Sequence, residues 1–391
     1  MQSESRPVDG TALHSSAWLM SQTASSPSSS LSFTGSSSTT FLAAAAAQPP
    51  SDEDVALLRS AFGQFYGVER DLVLSDKLLT QTIDRWELTK QPSDELAGLY
   101  RVRGDCRMLS AQAADAAADY NKAVTLLQTD PAAAAAADPA ELPAALLGRA
   151  RATKSQKGLT AKAAVTAAAD YEQALKLTSR EEWDTEQELL EDGASRNPYA
   201  AWEWGSALRT SGDYSKAALA HSLAAVSFDA TGDKGRAVVS QLDAGIDLAS
   251  VVTDDKSKQE AISVLKKAIA QTKGVEARDV TLLQRVIAKE SEGRMALAAL
   301  LWTDSGNSDS KQQAETNLGE ACIRLEQLQA DAAGRKDVVR TDPIAPLPYS
   351  IDDDIAPLDM SCGKFKNTAF LNDLEWSESL QKKVMKLQTL R

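Results

Sequence analysis

The stretch "NPYAAWEWGSALRTSGDYSKAALAHSLAA", residues 197–225, decides the fold. It places Trp202 and Trp204 two apart, just before Gly205, in a chain with only 7 Trp. Two residues along a helix is a rotation of about 200°, so the two rings face different sides. One ring fits a core. The other needs a separate account, because a covered Trp buries roughly 150–250 Å². Outward from this stretch the same small and aromatic residues return. Residues 99–127 carry Tyr100, Gly104, Ala116, Tyr120 and Ala123. Residues 146–177 close with the same device, Asp119-Tyr120-x-x-Ala123 recurring as Asp170-Tyr171-x-x-Ala174.

These spacings resemble the tetratricopeptide repeat, a helix–turn–helix unit of about 34 residues. Small residues at three fixed positions let the two helices approach closely, and larger ones fill the gaps between hairpins. Apolar residues recur at three and four from residue 54 to 336, the helical period. The predicted fold is all-α, a tetratricopeptide-like α-solenoid of about six helical hairpins with an irregular C-terminal tail. In the register set by Gly205 and Gly212-Asp213-Tyr214, Trp204 takes a core position and Trp202 a position lining the concave groove. Tyr199, Ser206, Arg209 and Thr210 share that lining. Trp, Tyr and Arg are the side chains enriched in binding hot spots. The competing reading packs Trp202 on the connector 179–196 or on the C-terminal segment. Equivalent groove positions are Arg101, Asp105 and Met108 in the first repeat and Arg149 in the second. Asp105 stands where a carboxylate clamp would place Asn, so binding of a chaperone tail is not assigned. His221 occupies a position that is usually a core aromatic and reads as a packed histidine.

The 391 residues carry a net charge of −13, are 43% hydrophobic, and contain only 5% aromatics. Most of the apolar content is therefore Ala and Leu, a helical bias. The acidic balance disfavours a large phosphate-binding surface and with it the alternative of an RNA-binding helical-repeat protein. No run of 18 apolar residues occurs, so no transmembrane segment is expected. Cys106, Cys322 and Cys362 lie far apart with no metal spacing, and a reducing compartment is the simplest reading. Phosphate-loop, dinucleotide and nucleophile-elbow motifs are missing. An enzyme with a cryptic site is thus the weakest alternative, and no catalytic residue, metal or cofactor is expected. "SIDDD" (350–354) reads as a solvated acidic run rather than a cation site.

Three regions are expected. Residues 1–53 form a Ser/Ala-rich leader with no Asp, Glu, Lys or Arg from Gly10 to Pro50; it reads as disordered and as a possible transit peptide. Residues 54–336 form the repeat domain. Residues 337–391 are an extended acidic and Pro-containing segment ending in a short basic amphipathic helix, with Leu380, Val384, Leu387 and Leu390 on one face. This tail either caps the solenoid or occupies its groove, a self-inhibiting contact.

Larger blocks ("RNPYAAWEWG", "SQLDAGIDLA", "EARDVTLLQRVIAKE", "LGEACIRLEQLQAD" and "SIDDD…SCGKFKN…FL") resemble a group of chloroplast tetratricopeptide-repeat proteins of plants and algae. The resemblance spans most of residues 55–391. It implies a plastid address, stromal or thylakoid-associated, in place of the cytoplasm, and supplies no activity. The expected role is a scaffold or an assembly or regulatory adaptor with a protein or peptide partner.

Overall fold

A computed structural model describes residues 49–156, 159–180, 185–275, 280–302, 308–334 and 362–389. Among them no strand occurs, and sixteen α-helices follow one another. They are α1 Asp52–Tyr66, α2 Leu72–Leu88, α3 Ser93–Leu109, α4 Ala113–Thr129, α5 Pro131–Ala136, α6 Glu141–Lys154, α7 Ala161–Thr178 and α8 Glu186–Arg196. After them come α9 Pro198–Ser211, α10 Tyr214–Ala230, α11 Lys234–Ser250, α12 Asp255–Thr272, α13 Val280–Trp302, α14 Ser308–Gly334, α15 Thr368–Asp373 and α16 Glu378–Met385. Among the described residues the first helix starts at Asp52, where Ser51 and Asp54 cap each other reciprocally. The leader before residue 49 and the "SIDDD" run lie outside the described residues, as does Leu390.

The chain divides into two compact units, one running through Gly148 and one from Arg149. In the first, α1 to α4 pack each on the next. Tyr120 is fully buried. Gly104 and Gly148 both lie against its ring, and a Cβ on Gly148 would stand 2.2 Å from a ring carbon. The repeated small–aromatic pairing is therefore steric: the missing Cβ is the space the ring fills. Buried Arg–carboxylate pairs tie the same hairpin, with Arg103 clasping both oxygens of Asp119.

In the second unit helices pack on their neighbours and on the helix two places on, as α7 does on α9 and α11 on α13. That pattern is the solenoid signature, each hairpin covering the apolar stripe of the next. Asn197 caps α9 ahead of Pro198, and Gly212 ends it at φ +89, a left-handed turn that Gly takes without a Cβ penalty. Trp204 is buried at 1% exposure, in the core position its register predicts. His221 packs flat on Gly205, where a Cβ would come within 2.5 Å of the ring.

The C-terminal segment belongs to this unit. α16 lies on α11 and α13. Phe365, Leu371, Trp376, Leu380, Val384 and Leu387 are buried with Leu242, Leu265 and Leu325 in one apolar cluster. At 1.5–3 kcal/mol per large side chain, that burial contributes on the order of 10 kcal/mol before chain entropy is counted. The segment is thus part of the core as well as a cap.

The cysteines read as lying far apart in the sequence are not all separate in the fold. Cys322 of α14 and Cys362 are joined in a disulfide, their Cα atoms 5.0 Å apart. A sequence separation of 40 hid a proximity that the fold creates, the short turn Cys362–Lys366 packing on α14. Cys106 alone is free and buried, and burial pushes its thiol up to about 11. It is inert, as expected for a packed thiol.

Candidate functional site

A partly open cavity of about 530 Å³ lies in the second unit. Its walls come from the first helices of successive hairpins: Lys154 on α6, Trp202, Ser206, Arg209 and Thr210 on α9, Asp243 on α11, and Arg285, Lys289 and Glu292 on α13. His221 of α10 reaches it from behind. Phe370, Asp373, Leu374 and Glu375 of the C-terminal segment close one side.

Behind the wall is a dense charge network. The Arg209 guanidinium donates Nε–H to Asp247 Oδ1 at 2.6 Å, one Nη to Asp243 Oδ1 at 2.9 Å, and the other Nη to the Asp243 carbonyl at 3.1 Å. His221 Nδ1–H donates to Asp247 Oδ2 at 2.7 Å. Lys289 Nζ lies 3.2 Å from Asp243 and 2.8 Å from Glu292. Burial pushes the Asp243 carboxyl up, but Lys289, Arg209 and His221 outweigh it and hold it well below the usual carboxylate range. Burial likewise acts against the Lys289 ammonium, and Asp243 and Glu292 overcome it, so its value rises. Glu292 goes the other way: burial pushes its carboxyl up, and Lys289 only partly offsets this.

Such a network is poor value as a stabiliser, because its ions give up hydration to enter the interior. Its clearer effect is orientation. Asp243 accepts from Trp202 Nε1 at 3.3 Å, and the Arg285 guanidinium lies 5.4 Å above the Trp202 ring. Trp202 is half-buried, pinned at its polar edge with part of its surface left on the cavity. Its polar edge and ring face are thus held by residues of α11 and α13. The described part of the C-terminal segment lines the same cavity.

Lys154 Nζ donates to Ser206 Oγ at 2.9 Å and pairs with no carboxylate among the described residues. From the other side Glu375 accepts from Thr210 Oγ1 at 2.5 Å. Glu375 sits just past α15 at φ 57, in a Schellman arrangement: its N–H donates to Asn372 O and the Trp376 N–H to Leu371 O. Gly is the usual residue there, and a side chain costs about 1 kcal/mol. Lys90 and Ala111 end their helices with the same left-handed backbone.

Of the sequence-predicted groove residues, Trp202, Ser206, Arg209 and Thr210 come together in the cavity. Arg209 is buried rather than presented, its guanidinium spent on Asp243 and Asp247. Tyr199 packs edge-to-face on Phe228, with Arg236 over its ring, and does not line the cavity. Arg149 grips Asp170 through two hydrogen bonds inside the second unit. Arg101 pairs with Asp105 and Glu141, and Asp105 also accepts from the Tyr120 hydroxyl, all within the first unit. Met108 is half-buried there. The residues missed were Lys154, Asp243, Arg285, Lys289, Glu292 and Glu375. One signal was available: Asp243 and Asp247 stand four apart in "SQLDAGIDLA", on the apolar face of a helix, where a carboxylate must find a buried cation.

No protein-family model matches the chain, and no curated protein is similar to it in sequence. Among solved structures it is similar to BtubC (BKLC) from P. vanneervenii, with a TM-score of 0.42 and 16% identity over 75% of this chain and 97% of that one.

Proposed function

We propose that the protein is an interaction scaffold, an assembly or regulatory adaptor that acts by binding rather than catalysis and takes a protein or peptide segment into the cavity beside Trp202. The observation that carries this reading is the half-exposed Trp202, held by Asp243 and Arg285 on the wall of an open 530 Å³ cavity. A rigid, pre-oriented aromatic loses little conformational freedom on binding, which is why such residues dominate contact energies. The plastid address rests on the sequence resemblance and the Ser-rich leader, and it sets where a partner is sought. The acidic balance disfavours the RNA-binding reading.

The test is quantitative capture from plastid extract with the wild-type chain and Trp202→Ala. Truncation removes one long hydrogen bond and part of a half-buried ring, so melting falls by no more than about 5 °C. Retention of a specific partner drops at least tenfold. Equal retention by the two baits would refute the reading.

A further inference from the structure

The cavity's chemistry narrows the partner. Lys154, Arg285 and Lys289 line it from the repeat helices together with the buried Arg209, against Asp243 and Glu292, with Asp247, which pairs with Arg209, behind the wall. The lining cations outnumber the lining carboxylates until Asp373 and Glu375 of the C-terminal segment are added. On a chain of net charge −13, the repeat helices thus bring a small cationic excess to this wall, and the two C-terminal carboxylates balance it. Two further observations point the same way. Lys154 donates to the Ser206 hydroxyl and meets no carboxylate among the described residues, so none of them neutralises its charge on the cavity wall. Glu375, at the left-handed end of α15, puts its carboxylate on Thr210. We propose that this groove takes an acidic segment of a second protein, carboxylates interspersed with large apolar side chains, and that Asp373-Leu374-Glu375 is the chain's own stand-in for it, with Glu375 competing for the Thr210 end of the groove.

The inference rests on the scaffold reading and deepens it. The stand-in need not leave as a whole. Its flanks, Leu371 and Trp376, are core residues, whereas Asp373 is exposed and Glu375 half-buried. Only the tip yields, and the free volume between it and Trp202 is where the incoming segment starts. Glu292 is held by Lys289 at 2.8 Å, which offsets its charge on the cavity wall. Electrostatic complementarity of this kind sets register and partner choice and weakens with added salt.

The probe is a fluorescein-labelled eight-residue peptide alternating Glu and Leu, with a Lys-for-Glu peptide as control, followed by anisotropy on the full chain. Glu375→Gln keeps the backbone and the acceptor but removes the charge; Glu375→Gly removes the side chain and relaxes the turn. Both are expected to melt within a few degrees of wild type. The Glu peptide binds about tenfold tighter to Glu375→Gln than to wild type and tighter still to Glu375→Gly. Lys154→Ala weakens it at least fivefold, and the Lys peptide does not bind. No tightening in either variant, or equal binding of the two peptides, overturns the inference. So does concentration-dependent self-association of Glu375→Gly by light scattering, which would make a second copy the occupant. If capture still depends on Trp202 while the acidic peptide fails, the scaffold reading stands and this inference alone falls.

Discussion

Arg209→Leu is the sharpest perturbation of the second unit. The guanidinium makes three hydrogen bonds to Asp243 and Asp247 and is 8% exposed. Leu fills most of the space but leaves two buried carboxylates with less counter-charge: Lys289 stays with Asp243, and His221 with Asp247. Removing one partner of a buried pair costs about 3–5 kcal/mol, and the cations that remain put this case near the lower end, about 3 kcal/mol. For a unit of this size that lowers melting by about 6–12 °C. The pH dependence separates this cause from simple packing loss. In the wild type, the depressed Asp243 value means its stabilisation is present above the unfolded value near 3.9 and is lost as pH falls below it. In the variant, burial is opposed by fewer charges, the Asp243 carboxyl moves up, and stability falls as pH rises through that value. The gap between the two proteins should therefore be largest near pH 8 and narrow toward pH 4. Urea unfolding followed by circular dichroism at several pH values measures it. A gap below 1 kcal/mol, or one independent of pH, would refute the electrostatic reasoning.

Further outcomes follow from the packing. Gly205→Ala drives a Cβ to within 2.5 Å of the His221 ring and is expected to cost about 1–3 kcal/mol; the double variant with His221→Ala should recover part of that loss, read by thermal melting. Reducing Cys322–Cys362, or replacing both residues with Ser, opens a loop of sequence separation 40 and should cost up to about 4 kcal/mol in the chain-entropy account. Non-reducing peptide mapping should recover the linked pair, and exposure of Trp376 on reduction should shift Trp fluorescence to the red. Deleting residues 362–391 should destabilise the second unit rather than merely open the cavity, because six large buried side chains leave with it.

How much of this was legible in the sequence depends on the range of the interaction. Helical period, cap residues and the small–aromatic pairing are local, so the hairpins, the Trp204 core position, the packed His221 and the amphipathic α16 could all be read directly. The groove was legible only where one helix displayed it: Trp202, Ser206 and Arg209 lie on α9. Arg209 read as a presented cation because its neutralising partners, Asp243 and Asp247, lie on another helix. Arg101 and Arg149 followed the same rule, their partners Glu141 and Asp170 lying on other helices, whereas the Arg101–Asp105 pair is four apart on α3 and was open to a local reading. The Thr210–Glu375 contact spans 165 residues and the disulfide 40, distances over which periodicity carries no information.

The central claim, that the cavity beside Trp202 receives a segment of another protein, is tested most directly by a photo-crosslinking amino acid installed at position 206 on its wall. After irradiation in plastid extract and peptide mapping, the account predicts one dominant crosslinked sequence from a second protein, lost when Trp202→Ala is added. Crosslinks confined to residues 370–375 of the chain itself, unchanged by Trp202→Ala, would contradict it.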